Sequence, residues 1–175
     1  MNITVTPDIM GAITGAVVLR AARAADIDGI VSLVNGYAAE SVMLFRTPES
    51  VSATLHNFVV AVDARDSVVA CGAIKEYSPS LAEVASVAVA RAAHGRGLGT
   101  LIVHEVERLA RKRGIDELFA LTLTPGFFEH AGYAATDRAL YPEKIRRDCL
   151  KCPRRIRCNE YCVARVVSEE MAVAA

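Results

Sequence analysis

Apolar positions along the chain recur at two periods, which divide it into short strands and a few helices. Residues 1–15 hold neither period and read as a loose lead-in, after which Ala16–Ala22 (AVVLRAA) reads as a first strand. Asp26–Tyr37 places Ile27, Ile30, Val31, Val34 and Tyr37 on one helical face. Thr47-Pro48-Glu49-Ser50 is a helix start, with a capping hydroxyl, proline in the first turn and an early acid. Phe58–Asp63 and Ser67–Tyr77 are strand-like runs joined by Ala64-Arg65-Asp66, a hairpin by length and composition. Leu81–Val89 is a further strand.

After a glycine-rich turn, Leu98, Leu101, Ile102, Val106, Leu109 and Ala110 form the apolar stripe of a long helix. Its polar face carries Glu105, Glu107, Arg108, Arg111 and Lys112, and Gly114 supplies the stop. Glu117–Leu123 reads as a buried strand, and Phe127–Tyr133 as a short helix closing on Gly132 with a strand resuming at Tyr133. From Tyr141 the tail is basic and cysteine-rich up to Cys162, then apolar through Val163–Val167. The order β-α-α-β-β-β-α-β-α-β predicts an α+β fold, a mixed central sheet flanked by helices. A dinucleotide-binding unit is excluded, because that needs its glycines after the first strand.

Composition narrows the partners. Apolar residues are 53% and charged residues 23% of 175, the profile of a soluble globular protein. Lys+Arg and Asp+Glu balance at 20 each, which gives no electrostatic case for nucleic acid or a membrane surface. With no long apolar run and no basic-then-apolar leader, the expected location is the cytoplasm.

The chemistry concentrates around Leu81–Val89 and the turn His94-Gly95-Arg96-Gly97-Leu98-Gly99. The first backbone N–H groups of a helix lack intrahelical partners and sit at the positive end of its dipole, so a glycine turn leading into one attracts phosphate. Glu83 lies on the strand just upstream. Taken alone, a strand-edge glutamate is a solvated side chain; beside a phosphate cradle it is a candidate base. The pair suggests group transfer from a nucleotide-bearing cofactor.

This element order, with a [Arg/Gln]-x-x-Gly-x-[Gly/Ala]-like turn after the fourth strand, resembles the GNAT superfamily of acetyl-coenzyme A N-acyltransferases. The resemblance runs over about residues 17–140 and implies one GNAT domain over residues 16–175 with a cysteine-rich tail. It implies that Gly95, Arg96, Gly97, Leu98, Gly99 and Thr100 cradle the coenzyme pyrophosphate, with His94 where the family usually has Gln or Arg. It also implies that Val87 and Val89 hold the pantetheine arm through their main chain. Within the superfamily, Phe45-Arg46-Thr47-Pro48-Glu49-Ser50, Ala70-Cys71-Gly72-Ala73-Ile74, Leu81-Ala82-Glu83 and Leu121-Thr122-Leu123-Thr124 are similar to short-form N-acetylglutamate synthases. So is the tail Tyr141-Pro142-Glu143-Lys144, then Asp148-Cys149 and Cys152-Pro153.

That likeness implies acetyl-CoA as cosubstrate and the α-amine of glutamate as acceptor, the first step of arginine biosynthesis. Glu83 would be the base that takes the proton of the ammonium. The N–H of Val87, freed if the strand bulges, would face the thioester oxygen. Thr124 is the nearest hydroxyl for the leaving thiolate, because Phe127 and Phe128 stand where many members have tyrosine; Tyr133 and Tyr141 are fallbacks. Arg46 and then Lys144, Arg146 or Arg147 would bind the acceptor carboxylates. The alternatives are the same fold acting on glutamine, another amino acid or a polyamine, or a coenzyme-binding regulatory domain without activity. A homodimer is compatible with the family.

Cys71 sits mid-strand and reads as a small core residue. Cys149, Cys152, Cys158 and Cys162 are four thiols on one basic segment. Their tight spacing leaves a metal site, buried thiols and a redox pair all open, and no residue is assigned as a metal ligand.

Overall fold

β-Branched and small apolar residues build eight strands among the described residues, 3–5 and 16–168, of the computed structural model. In chain order these are β1 (Ile3–Val5), β2 (Val17–Ala21), α1 (Ile27–Ala39), α2 (Pro48–Ala53), β3 (Phe58–Val62), β4 (Val68–Ser78), β5 (Leu81–Val89), α3 (Leu98–Lys112), β6 (Glu117–Thr122), α4 (Pro125–His130), β7 (Ala134–Thr136), α5 (Pro142–Arg147) and β8 (Tyr161–Val166). The lead-in expected to be loose contains β1, whose Ile-Thr-Val sequence suits a strand; the rest of it lies outside the described residues. The chain divides into two compact units, Met1–Ile74 with Val84–Val106, and Lys75–Glu83 with Glu107–Ala175.

In the first unit β1, β2, β3 and β4 form an antiparallel run. The predicted hairpin is present, with Phe58 opposite Ala73 and a register shift at Ala61/Val62. β3 is buried at every position, so it reads as a continuous apolar run rather than an alternation. The i, i+4 face of α1, Ile30 and Val34, packs with Val51 of α2 and with Phe58, Val60, Cys71 and Ala88 of the strands. Thr47 caps α2, its hydroxyl accepting from the Ser50 N–H at 3.2 Å.

Gly72 lets α3 approach β4, since a Cβ there would lie 2.5 Å from Cγ2 of Ile102. A buried ion pair ties β2 to the turn before α1. Arg20 and Asp26 are each 3% exposed and meet through two bonds, at 2.6 and 2.9 Å, and Arg20 also donates to Asp66 at 2.9 Å. The paired carboxylates hold the Arg20 guanidinium above its ordinary value despite burial.

In the second unit the start of β5 pairs in parallel with β6, from Leu81 opposite Glu117 to Glu83 opposite Phe119. β6 pairs antiparallel with β8 along its whole length, and β8 pairs with β7 on its other side. The apolar tail run therefore forms a strand between two earlier ones. Parallel and antiparallel ladders together make the sheet mixed, and the class is α+β, as the element order predicts. Phe119, Tyr141 and Cys162 form a buried cluster, with the Phe119 and Tyr141 rings stacked at 4.2 Å.

The polar face of α3 is not uniformly solvated. Glu107 is buried, and it accepts from Arg165 at 3.0 Å and Arg111 at 3.4 Å. Among the described residues no helix is long and apolar enough to cross a membrane.

Candidate active site

The first unit holds the turn and the end of β5. Ser86 stands in the left-handed region (φ 54), which interrupts the regular strand just before Val87. Val87, the expected oxyanion donor, follows this irregularity directly. The Ser86 carbonyl accepts from the Cys71 thiol at 3.4 Å, and burial pushes that thiol up to about 12. Arg46 is fixed by its backbone, which exchanges two bonds with the Asn35 amide, at 2.8 and 2.9 Å. Its guanidinium donates to Ser86 Oγ at 3.2 Å. That puts Arg46 beside Ser86 of β5 while leaving most of its donors for a ligand.

Ala90 N–H bonds the Val69 carbonyl of β4 at 2.8 Å, so by strand alternation the polar groups of Val89 point away from β4. The Val89 carbonyl is already engaged. Tyr37 donates to it at 2.6 Å, and His94 Nε2 lies 3.0 Å from it and 2.7 Å from the Tyr37 oxygen. A hydrogen on Nε2 satisfies all three contacts. Main-chain pairing by Val89 is thereby left to its N–H. Sequence reasoning placed Tyr37 only on the core face of α1 and missed this lock. The one signal was a hydroxyl at the edge of an apolar stripe.

Gly95 and Gly97 both have φ +74, and a Cβ at either would meet nothing within 4 Å. The turn is therefore open on the side where its backbone is bare, and only glycine holds this conformation without strain. α3 starts at Leu98, with the Gly97 carbonyl accepting from Leu101 at 3.1 Å, so the N–H groups of Leu98, Gly99 and Thr100 begin the helix without intrahelical acceptors. Arg96 makes no hydrogen bond or ion pair among the described residues. These are the features of an anion cradle.

The second unit holds Glu83. Its carboxylate is 7% exposed, and Oε2 accepts from Lys144 Nζ at 2.8 Å and from the Tyr77 hydroxyl at 2.9 Å. Lys144 also donates to Asp148 at 3.2 Å, which leaves one of its three N–H groups for a ligand. Burial works against the Lys144 charge, but Glu83 and then Asp148 outweigh it and hold the ammonium above its ordinary value. Burial of Asp148 is likewise overcome by bonds from Lys75 and Tyr77 and by the nearby Lys144 charge, so its carboxyl is held down at about 2. Tyr77 is pushed up, first by burial and then by Glu83 and Asp148.

Thr124 precedes α4, and its hydroxyl lies 3.2 Å from that of Thr122. Tyr141 donates to Glu117 at 2.6 Å, and burial pushes both Tyr141 and Tyr133 up. Of the tail cations, Arg146 pairs with Glu143, while Arg147 lies over the Tyr77 ring at 4.7 Å and bonds the Glu76 carbonyl at 3.1 Å.

All five cysteines are free thiols, and among the described residues no group of three or more His, Cys, Asp or Glu side chains is arranged to hold a metal ion. Arg138 donates to Cys158 at 3.1 Å and also bonds Cys149. Burial raises Cys149 and pushes Cys162 up to about 11, which keeps both protonated.

The family model described as Acetyltransferase (GNAT) family matches residues 34–133. An uncharacterized N-acetyltransferase of Chlorobaculum tepidum is 38% identical over 85% of this chain and 96% of its own length. An amino-acid acetyltransferase of Mycobacterium tuberculosis is 33% identical over 66% of this chain and 67% of its own. Among solved structures, N-acetylglutamate synthase from Neisseria gonorrhoeae, complexed with coenzyme A and N-acetyl-glutamate, is 25% identical with a TM-score of 0.79. That alignment covers 89% of this chain and 36% of the gonococcal one.

Proposed function

The chain belongs to the GNAT family of acetyltransferases, and from that premise we propose that it acetylates the α-amine of L-glutamate with acetyl-coenzyme A. The observation that carries the reading is the buried carboxylate of Glu83 on the strand that leads to the bulge and the open glycine turn. The likeness to a synthase solved with coenzyme A and N-acetyl-glutamate supports the choice of cosubstrate and acceptor.

Acetyl-coenzyme A supplies the acyl group as a thioester. The bare N–H groups of Leu98, Gly99 and Thr100, with Gly95, Arg96 and Gly97, hold its pyrophosphate, and the Val87 carbonyl and the Val89 N–H hold its pantetheine arm. Glu83 takes a proton from the acceptor ammonium, because only the neutral amine can attack a carbonyl. The Val87 N–H, turned by the Ser86 bulge, donates to the thioester oxygen as negative charge builds there. Thr124 gives a proton toward the departing thiolate and regains one, through solvent, from the proton that the acceptor nitrogen sheds as it becomes an amide. In the first unit Arg46 offers a planar fork to a carboxylate, and in the second Lys144 keeps one N–H for a ligand.

The test is acetyl-coenzyme A consumption by purified protein with glutamate, glutamine and a panel of amino acids and polyamines. Turnover with glutamate is expected. Turnover only with another amine overturns the acceptor, and no turnover beside intact coenzyme binding favours a regulatory domain. With glutamate as acceptor, Arg46→Leu is expected to raise the glutamate KM by roughly 10- to 100-fold, the loss of a charge-assisted bond, and to leave the acetyl-coenzyme A KM unchanged.

A further inference from the structure

Glu83 is the innermost member of a network that an ordinary ion pair does not explain. Asp148 Oδ2 takes the same two donors as Glu83 Oε2, Lys144 and Tyr77. Asp148 also takes Lys75 at 2.6 Å. Side-chain exposure climbs outward along it, 7% at Glu83, 13% at Lys144, 26% at Asp148 and 37% at Lys75. The other titratable groups near Glu83 are Arg147 of α5, over the Tyr77 ring, and the Cys162 thiol of β8.

Two consequences follow from this geometry. A buried carboxylate facing one ammonium alone is strongly favoured in its charged form and becomes a poor proton acceptor. Here a second carboxylate, Asp148, accepts from the same ammonium, so the Lys144 charge is divided between two acceptors. Tyr77, in turn, has one hydroxyl hydrogen but lies within bonding distance of two carboxylate oxygens. While Glu83 is ionised, that hydrogen can point to it. Once Glu83 carries a proton, it donates to the Tyr77 oxygen and the Tyr77 hydrogen turns to Asp148. Either protonation state of Glu83 keeps a hydrogen bond to the Tyr77 oxygen.

We propose that Asp148 and Tyr77 are positioning residues for Glu83, Asp148 by sharing the Lys144 charge and Tyr77 by turning its hydroxyl hydrogen between the two carboxylates. The proposal rests on the reading of Glu83 as the base. The step it serves moves one proton from the acceptor ammonium to Glu83, which later returns it to solvent, and involves no change of oxidation state.

The experiment is a titration of Glu83 by NMR in protein labelled with ¹³C at the glutamate carboxyls, its signal assigned by its loss in Glu83→Gln. It is run on wild type, Asp148→Asn and Asp148→Glu. Asp148→Asn removes the competitor for Lys144, so the Glu83 midpoint is expected to fall by about one pH unit, with the acidic limb of kcat/KM moving the same way. Asp148→Glu keeps the charge and is expected to hold the midpoint near the wild-type value. Tyr77→Phe is expected to lower kcat about tenfold and leave both KM values within about twofold.

A midpoint that stays or rises in Asp148→Asn, or an unchanged kcat in Tyr77→Phe, overturns the proposal. The two readings fail separately. Wild-type turnover with an unmoved midpoint keeps the acetyltransferase reading and removes charge sharing. A shifted midpoint in a protein that acetylates no amine does the reverse.

Discussion

Glu83→Gln is expected to reduce kcat near neutral pH by roughly 10²- to 10⁴-fold, the range over which a positioned general base contributes. Glutamine fills the same space and still accepts bonds from Lys144 and Tyr77 through its amide oxygen, but it cannot take a proton. The acceptor must then lose its proton to water before it binds. Residual activity should therefore climb with pH, as more of the free amine becomes neutral, where the wild type is already level. Coenzyme binding should be unaffected, because the cradle rests on backbone N–H groups of the turn and α3. Steady-state kinetics across pH, with equilibrium binding of coenzyme A to the variant, check both halves. A variant that turns over at the wild-type rate would move the base to another residue.

The largest expected change in stability comes from Asp26→Asn. Asp26 accepts two bonds from Arg20 and a third, at 2.6 Å, from the Arg23 N–H. An amide there turns donors toward a guanidinium that is 3% exposed, and leaves Arg20 with only the largely exposed Asp66 as a charged partner. Breaking a buried pair from one side costs about 3–5 kcal/mol, and the surviving Asp66 bond argues for the lower end. The urea midpoint should fall accordingly. Replacing both partners by apolar residues, Arg20→Met with Asp26→Leu, should cost less than Asp26→Asn alone, because no charge is left buried.

The pair also sets a pH dependence. Burial of Asp26 disfavours its charge, but the bonds from Arg20 and Arg23 prevail and hold its carboxyl below the ordinary value of 3.8. A carboxylate depressed in the folded state stabilises fully above its unfolded value and loses that contribution as pH falls through the folded one. The difference between wild type and Asp26→Asn should be constant near neutrality and shrink below about pH 4. Denaturant curves at several pH values measure it.

Much of this molecule is legible in one dimension. The predicted strand Leu81–Val89 and the structural β5 coincide, and the stripe on α3 is the face that packs over Gly72. These elements announce themselves because burial on one face imposes a period on the residues, and the period survives in the sequence. The glycine turn is legible for a related reason, since Gly95 and Gly97 mark backbone angles that other residues resist. The candidate site residues Glu83, Val87 and Arg46 could be named in advance because motif spacing fixes their places on elements.

What the period does not carry is which element lies beside which, and which polar side chains meet. β8 inserts between β6 and β7 although it is the last strand among the described residues, because pairing there gives both neighbours a partner for their free backbone edges. Glu107 looks like a surface acid on the helix and is buried because Arg165, far along the chain, comes to pair with it. Asp148 stood in a tail string that resembles short-form synthases, with nothing to pair it with Glu83's partners, and Tyr77, a tyrosine at the end of an apolar strand, carried no signal. Composition and periodicity determined the elements, their class and the glycine turn, since those depend on local backbone preference and on burial of whole faces. Only the tertiary structure decided the strand order and the partners of Glu83, since hydrogen bonds and ion pairs depend on ångström-scale distances between residues remote in sequence.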